Sequence, residues 1–244
     1  MDLFTIQFLN GLSIATILVL ISLGLAVIFG MLGIINLAHG EFFMLGAYSV
    51  ATTTSLGLSP WWGIVIAPLL VGMVGILAQQ AIIRPLYQRP IDTLLATWGL
   101  SIVIRQIVRL TYGPGQMMAG SVVSGSTQIF GVAYPTFRLF IIVVTTIVLI
   151  ATFVLYFRSD FGLRIRMVIA DRQTASALGV NTQATDMWAF GIAAALVGFA
   201  GAMMSPLIVV NPDMGLEFLS RAFLVVIVGG IGHLYGVIAG GAAI

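Results

Sequence analysis

Between Asp2 and Glu41, and again between Glu41 and Arg84, the sequence carries no Asp, Glu, Lys or Arg. A water-soluble domain is about 25% charged, so intervals of this length leave no means of building a solvated surface. They read as stretches that cross a lipid bilayer, where a helical span takes about 20 apolar residues. The composition agrees, with 60% of the 244 residues hydrophobic and 7% charged. Dividing the length by the size of a span with its loop predicts roughly seven crossings.

The apolar segments place those crossings at residues 9–29, 61–83, 93–111, 139–157, 187–210 and 222–244, with a short segment at 42–54. The N-terminal stretch lacks a positive n-region and its apolar run is too long for a signal peptide, so it is read as a retained first span. Trp61 and Trp62, in "SLGLSPWWG", suit an interfacial belt. The last segment is read as one continuous span. The sequence stops inside it, as expected of a piece of a longer protein.

Three connections carry the rest. Residues 84–92 are short and charged, and residues 158–186 hold four Arg and three Asp. Residues 111–137 are uncharged and rich in Gly and Ser, which predicts an exposed loop. The first two lie two spans apart and so share a face, with Arg84, Arg89, Arg158, Arg164, Arg166 and Arg172. The opposite side holds Arg105, Arg109, Arg138 and Arg221. Counting positive charge makes the first face cytoplasmic. The N-terminus is then outside, and residues 39–41 are expected near the inner side.

What is missing excludes several chemistries. There is no Cys, so disulfides and thiol-based metal or redox sites are ruled out. All ten basic residues are Arg. Without Lys there is no Walker A loop and no Schiff base. Two His, one of them in "HGE" rather than HExxH, do not make a zinc site.

Against this background, "GMLGIINLAHGEFFMLGAY" places Asn36, His39 and Glu41 within six residues, among Gly30, Gly33 and Gly40. Glycine weakens a helix by about 1 kcal/mol. A broken helix is tolerated at membrane depth only where it is buried in protein or lines a cavity. The pattern predicts a break, then a half-helix starting between Asn36 and Gly40, capped by Asn36 and with Glu41 in its favourable first turn. Three roles stay open: a structural break with satisfied caps, a polar element on a substrate path, and a proton-relay carboxylate.

Arg105 and Arg109 stand four apart on one helical face near a span end, where they either snorkel to the surface or bind a substrate carboxylate or a partner. Small residues recur at four-residue spacing: Gly63, Ala67, Val71 and Gly75; Ala194, Gly198 and Ala202; Gly232, Gly236 and Gly240. These fit close helix packing, within the chain or against a second subunit. In "LRIRMVIADRQTASALGVNTQATD", Asp171 suits the N-cap of a short helix and Gly179 its C′ position. Such a capped helix is either a docking feature or an amphipathic loop on the bilayer.

At these segments the chain resembles a known family. "GLAVIFGMLGIINLAHGEFFMLGAY" resembles the signature of inner-membrane permeases of the branched-chain amino acid type of ABC importers. "ADRQTASALGVNTQATDMWAFGIAAALVGFAGAMMSP" is similar to that family's cytoplasmic coupling loop and following span, with Ala175 and Gly179 at the matching small positions. "NPDMGLEFLSRAFLVVIVGGIGHLYG" fits as well, although His233 stands where many relatives have a small residue. The resemblance covers nearly the whole chain.

The resemblance implies an all-α polytopic transmembrane helical bundle of the ABC importer permease type, with a broken or re-entrant second helix. Residues 1–244 would form one permease domain, truncated at its C-terminus, with a coupling loop at 158–186. The chain would not be an enzyme and would hold no cofactor. ATP would be bound by two partner subunits docked on Arg164, Arg166, Asp171, Arg172, Ala175 and Gly179. A second permease, paralogue or self, and an extracytoplasmic substrate-binding protein would complete the assembly in a bacterial or archaeal cytoplasmic membrane, with no nucleic acid. Asn36, His39, Gly40 and Glu41 would lie beside the translocation path. The implied cargo is a branched-chain or other hydrophobic amino acid, or urea or a short amide, since "RPIDTLLATWGLS" resembles that subgroup. The rival from another class is a proton-coupled secondary carrier using Glu41.

Overall fold

The computed structural model describes residues 2–33, 35–87, 89–129, 132–230 and 234–243. Apolar sequence with no charge to solvate forms helix wherever it is long enough, because helix satisfies every backbone group within the segment. The chain accordingly gives α1 (Asp2–Leu32), α2 (His39–Ser55), α3 (Pro60–Ala78), α4 (Pro90–Tyr112) and α5 (Thr136–Arg158). After these come α6 (Asp160–Ala170), α7 (Arg172–Ala177), α8 (Thr182–Met204), α9 (Met214–Gly229) and α10 (Leu234–Ala243). A π-helical turn at Gln79–Ile83 extends α3.

Among the described residues five helices are long and apolar enough to cross a membrane, or six if α9 and α10 count as one bent span. The expected seven is too many for two physical reasons. The segment predicted at 42–54 is a helix of 17 residues and crosses only part of the bundle. The final segment is not one continuous span: α9 ends at Gly229, Gly230 takes φ +87°, and α10 leaves at 116°. Gly232 and His233 lie outside the described residues.

The core is built from α1, α2, α3 and α8. Leu20, Ile21, Phe42, Phe43, Val71, Ala194 and Val197 are buried in one cluster. The small-residue ladders work within this chain. A Cβ on Gly46 would fall on the Gly198 carbonyl, and Gly198 in turn faces the Val71 side chain. With lipid outside there is no hydrophobic drive between helices, so this backbone approach supplies packing contact instead. Outward from the core, α3 exposes Leu69, Met73 and Leu77, and α5 exposes Val143, Ile147 and Val154, which are apolar faces suited to lipid.

Residues 111–137 are more than a loop. β1 (Ser126–Ile129) and β2 (Val132–Pro135) pair antiparallel, and Tyr134 is buried with its hydroxyl donating to Asn10 Oδ1 at 3.1 Å. Thr, Ile, Val and Tyr fit a half-buried pleat. A backbone bridge between Met117 and Val210 ties this region to the approach of α9. At the other end of the bundle, residues 84–87 and 158–186 do share a face: Arg84 donates to Gln183 at 2.6 Å, and Arg172 reaches Tyr87.

Candidate functional site

The break after α1 brings the chain back into the bundle. His39 Nε2 donates to the carbonyl of Ile21 at 3.1 Å, about three helical turns back from the end of α1 at Leu32. Leu37 N–H donates to Thr97 Oγ1 at 3.3 Å, and Ser101, at the centre of α4, donates to Glu41 Oε1 at 2.8 Å. His39, Gly40 and Glu41 therefore sit near mid-depth and not at the inner side. Asn36 is buried and its Oδ1 accepts from Ala38 N–H at 3.0 Å. It holds the turn before α2, while Ala38 occupies the cap position without a side-chain bond.

Glu41 is fully paired on one oxygen. Arg105 Nη2 donates to Glu41 Oε1 at 2.7 Å and to Ser101 Oγ at 3.0 Å. Arg109 forks onto Asp213 at 2.7 and 2.8 Å, and Arg105 Nη1 lies 3.9 Å from the same carboxylate. The two arginines thus do not snorkel as expected. Arg105 turns inward because Glu41, 1% exposed, offers a carboxylate that would otherwise be buried alone. Among the described residues Glu41 Oε2 has no partner.

α9 starts at the same depth. A Cβ on Gly40 would fall on the Gly215 carbonyl, and one on Gly215 would stand 2.7 Å from the Gly40 carbonyl oxygen and 3.0 Å from Glu41 Oε2. Two helix N-termini converge here, each with partial positive charge, and Glu41 and Asp213 supply the matching anions. Sequence reading found Asn36, His39, Gly40 and Glu41. It missed Ser101 and Asp213, and it read Arg105 as a surface group. The available signal was the series Thr97, Ser101, Arg105 and Arg109, four apart on α4, which lines one face with polar groups.

The second cluster is at the end of the bundle that carries residues 84–87 and 158–186. Asp171 ends α6 and caps α7, accepting from Gln173 N–H at 2.9 Å and from the Thr174 hydroxyl. That hydroxyl and the two backbone amides hold its carboxyl below the usual carboxylate range. Gly179 takes φ +84° just past the end of α7, a conformation side chains resist. One face of α7 is fixed. Ala175 is buried with Met31, Ile165, Val168 and Ala189, and Arg172 bonds Tyr87 Oη at 2.5 Å and Asp186 at 2.8 Å while stacking over the Tyr87 ring. Burial, helped by the Asp186 carboxylate, pushes the Tyr87 hydroxyl up. Just past the last turn, the C-cap residue Leu178 is 69% exposed. Arg166 is turned back on the Tyr156 carbonyl and both neighbouring rings, and Arg164 is exposed.

Among the described residues no group of His, Cys, Asp and Glu could hold a metal ion. The family model for the branched-chain amino acid transport system permease component matches residues 7–244. The chain is 29% identical to the high-affinity branched-chain amino acid transport system permease protein LivH of Salmonella typhimurium, over 96% of this chain and 82% of that protein. It is 27% identical to BraD, the corresponding permease protein of Pseudomonas aeruginosa, over the same shares. The probable branched-chain amino acid transport permease protein LivH of Methanocaldococcus jannaschii is 25% identical over 93% of this chain and 74% of its own length. No solved structure matches. A polytopic bundle with a break at mid-depth, matched by one family model from residue 7 to its last residue, belongs to the permease components of the branched-chain amino acid transport systems.

Proposed function

We propose that this chain is the membrane-spanning subunit of an ATP-driven importer that moves branched-chain and other hydrophobic amino acids across the cytoplasmic membrane. Two ATP-binding subunits dock on the 158–186 segment, a second permease of the same kind completes the path, and an extracytoplasmic binding protein delivers cargo. Residues 1–244 act as one permease domain. ATP is handled by the partners, in keeping with a chain that has no Lys for a phosphate loop.

The observation that carries this reading is the construction of α7. One face is clamped by Ala175 and Arg172, its ends are fixed by Asp171 and Gly179, and its C-cap residue Leu178 is open to solvent. A short rigid helix with an unsatisfied apolar knob passes force from a docked partner into α8, which starts at Thr182. Arg164 adds charge to that surface. Asn36, His39, Gly40 and Glu41 stand beside the translocation path, holding α2, α4 and α9 in register.

Gentle detergent extraction of the full-length protein from its native membrane, with mass spectrometry of what accompanies it, tests the assignment. An ATPase subunit and a sister permease in stoichiometric amounts are expected. A chain that is purified alone and drives uptake in ATP-free proteoliposomes would overturn it.

A further inference from the structure

One face of α9 is charged where the membrane allows no charge. Asp213, Glu217 and Arg221 follow at four-residue steps, with Ser220 between the last two, and all four are exposed. Glu217 and Arg221 pair at 2.5 Å with 62% and 46% of their side chains open. Arg109 of α4 joins the same patch through Asp213, and Arg105 reaches it from behind.

Glu217 and Arg221 lie deep in the bilayer, with Asp213 and Arg109 toward the end of α4. Gly215 packs on Gly40, whose neighbour Glu41 bonds the centre of α4. One turn after Glu217, the Ala222 carbonyl accepts from Ser22 Oγ at 3.3 Å, well inside α1. Charged side chains at this depth do not face lipid; they face protein or water. The exposed faces of α3 and α5, which carry Leu69, Met73 and Leu77 and Val143, Ile147 and Val154, show what lipid contact selects. Farther along α9 the same face turns apolar at Leu224 and Ile227.

We infer that this face of α9, with Arg109 beside it, lines the water-filled path and binds the α-ammonium and α-carboxylate of a zwitterionic amino acid. The inference rests on the importer reading above. A zwitterion needs both signs within a few ångströms, and Glu217 and Arg221 supply them from adjacent turns. Leu224 and Ile227 follow immediately for an apolar side chain. Urea and short amides carry no net ionic ends and would use neither charge fully.

The chain has no Cys, so single-cysteine variants can be made without other changes. In the assembled transporter, Ser220→Cys is compared with Met73→Cys on the apolar face of α3, using a membrane-impermeant methanethiosulfonate with and without L-leucine. Reaction at Ser220→Cys about tenfold faster than at Met73→Cys is expected, because the reagent needs a hydrated thiolate, and L-leucine but not urea should slow it. Equal, slow reaction at both positions overturns the water-lined path. Fast reaction that L-leucine leaves unchanged, or that urea slows equally, overturns the zwitterion site.

Glu217→Gln and Arg221→Gln should each raise KM for L-leucine uptake about tenfold or more, the loss of one charge-assisted contact. The exchanged pair Glu217→Arg with Arg221→Glu restores a purely structural ion pair but not an oriented ligand site. Recovery of uptake in that double variant overturns the proposal. The unmodified assembly is assayed first: lack of ATP-driven L-leucine uptake there sinks the importer reading itself, whatever the thiols report.

Discussion

The Glu41 carboxylate accepts from the Arg105 guanidinium at 2.7 Å at mid-depth, and through this pair α2 and α4 are joined. The two helices share little else there beyond Ser101, which donates to the same oxygen. Removing one partner leaves the other charge buried. Glu41→Gln or Arg105→Ala should therefore destabilise the protein by about 3–5 kcal/mol. The double variant Glu41→Met with Arg105→Met should recover most of that loss, because a volume-matched apolar pair leaves no orphan charge. Thermal unfolding in detergent of both singles and the double gives the coupling directly. Singles that unfold like the parent would show that the pair carries no stability.

The contact between Gly46 and Gly198 should tolerate no side chain. Gly46→Ala places a methyl on a backbone carbonyl, which no rotamer change relieves, and should cost about 1–3 kcal/mol or more. Gly11→Ala meets no atom within 4 Å and should be neutral or slightly stabilising. Melting temperatures of the two, side by side, separate a packing effect from a helix-propensity effect.

Loss of the α7 cap should separate ATP hydrolysis from uptake. Asp171→Lys removes the acceptor that Gln173 and Thr174 use, and Gly179→Trp puts a bulky side chain at φ +84°. Both variants should fold, since Asp171 and Gly179 are exposed. The expected outcome is uptake reduced about tenfold or more per ATP hydrolysed, in the range of coupling free energies between sites. An unchanged ratio of uptake to hydrolysis in both variants would count against a transmission role for this helix.

The same cap sets a pH window. Asp171 is held below its ordinary value by the Thr174 hydroxyl and backbone amides. A carboxyl depressed in the folded state contributes stability above the unfolded pKa of about 3.9, and that contribution is lost as pH falls through the lower folded value. Amide exchange protection at Gln173, corrected for intrinsic rates, should thus be flat from about pH 5 to 8. A midpoint inside that range would mean the carboxyl is not held by these donors.

Much of this architecture is written in local chemistry. The break before Asn36, the start of α2 and the caps of α7 follow from Gly, Asn and Asp acting on their own neighbours, so a linear reading finds them. Ser101 and Asp213 escaped that reading because their role depends on which helices pack together. Arg105 was given to the surface for the same reason: snorkelling is the cheaper fate for an isolated arginine, and only the approach of α2 supplies the buried anion that reverses it. The hairpin at residues 126–135 was hidden by a Gly- and Ser-rich surrounding that favours loop. Hydropathy averages over the break and so reads the final span as continuous, whereas α9 and α10 lie at 116° to one another.

Gly40 and Gly215 meet backbone to backbone, with nothing between them to compress. Sliding would drive one carbonyl into the other helix, and separation would lose the close packing that joins them. Rotation about the contact is the motion left. The starts of α2 and α9 are therefore placed to act as a pivot: a tilt of one half-helix would lever the other, their far ends swinging in opposite senses about the contact.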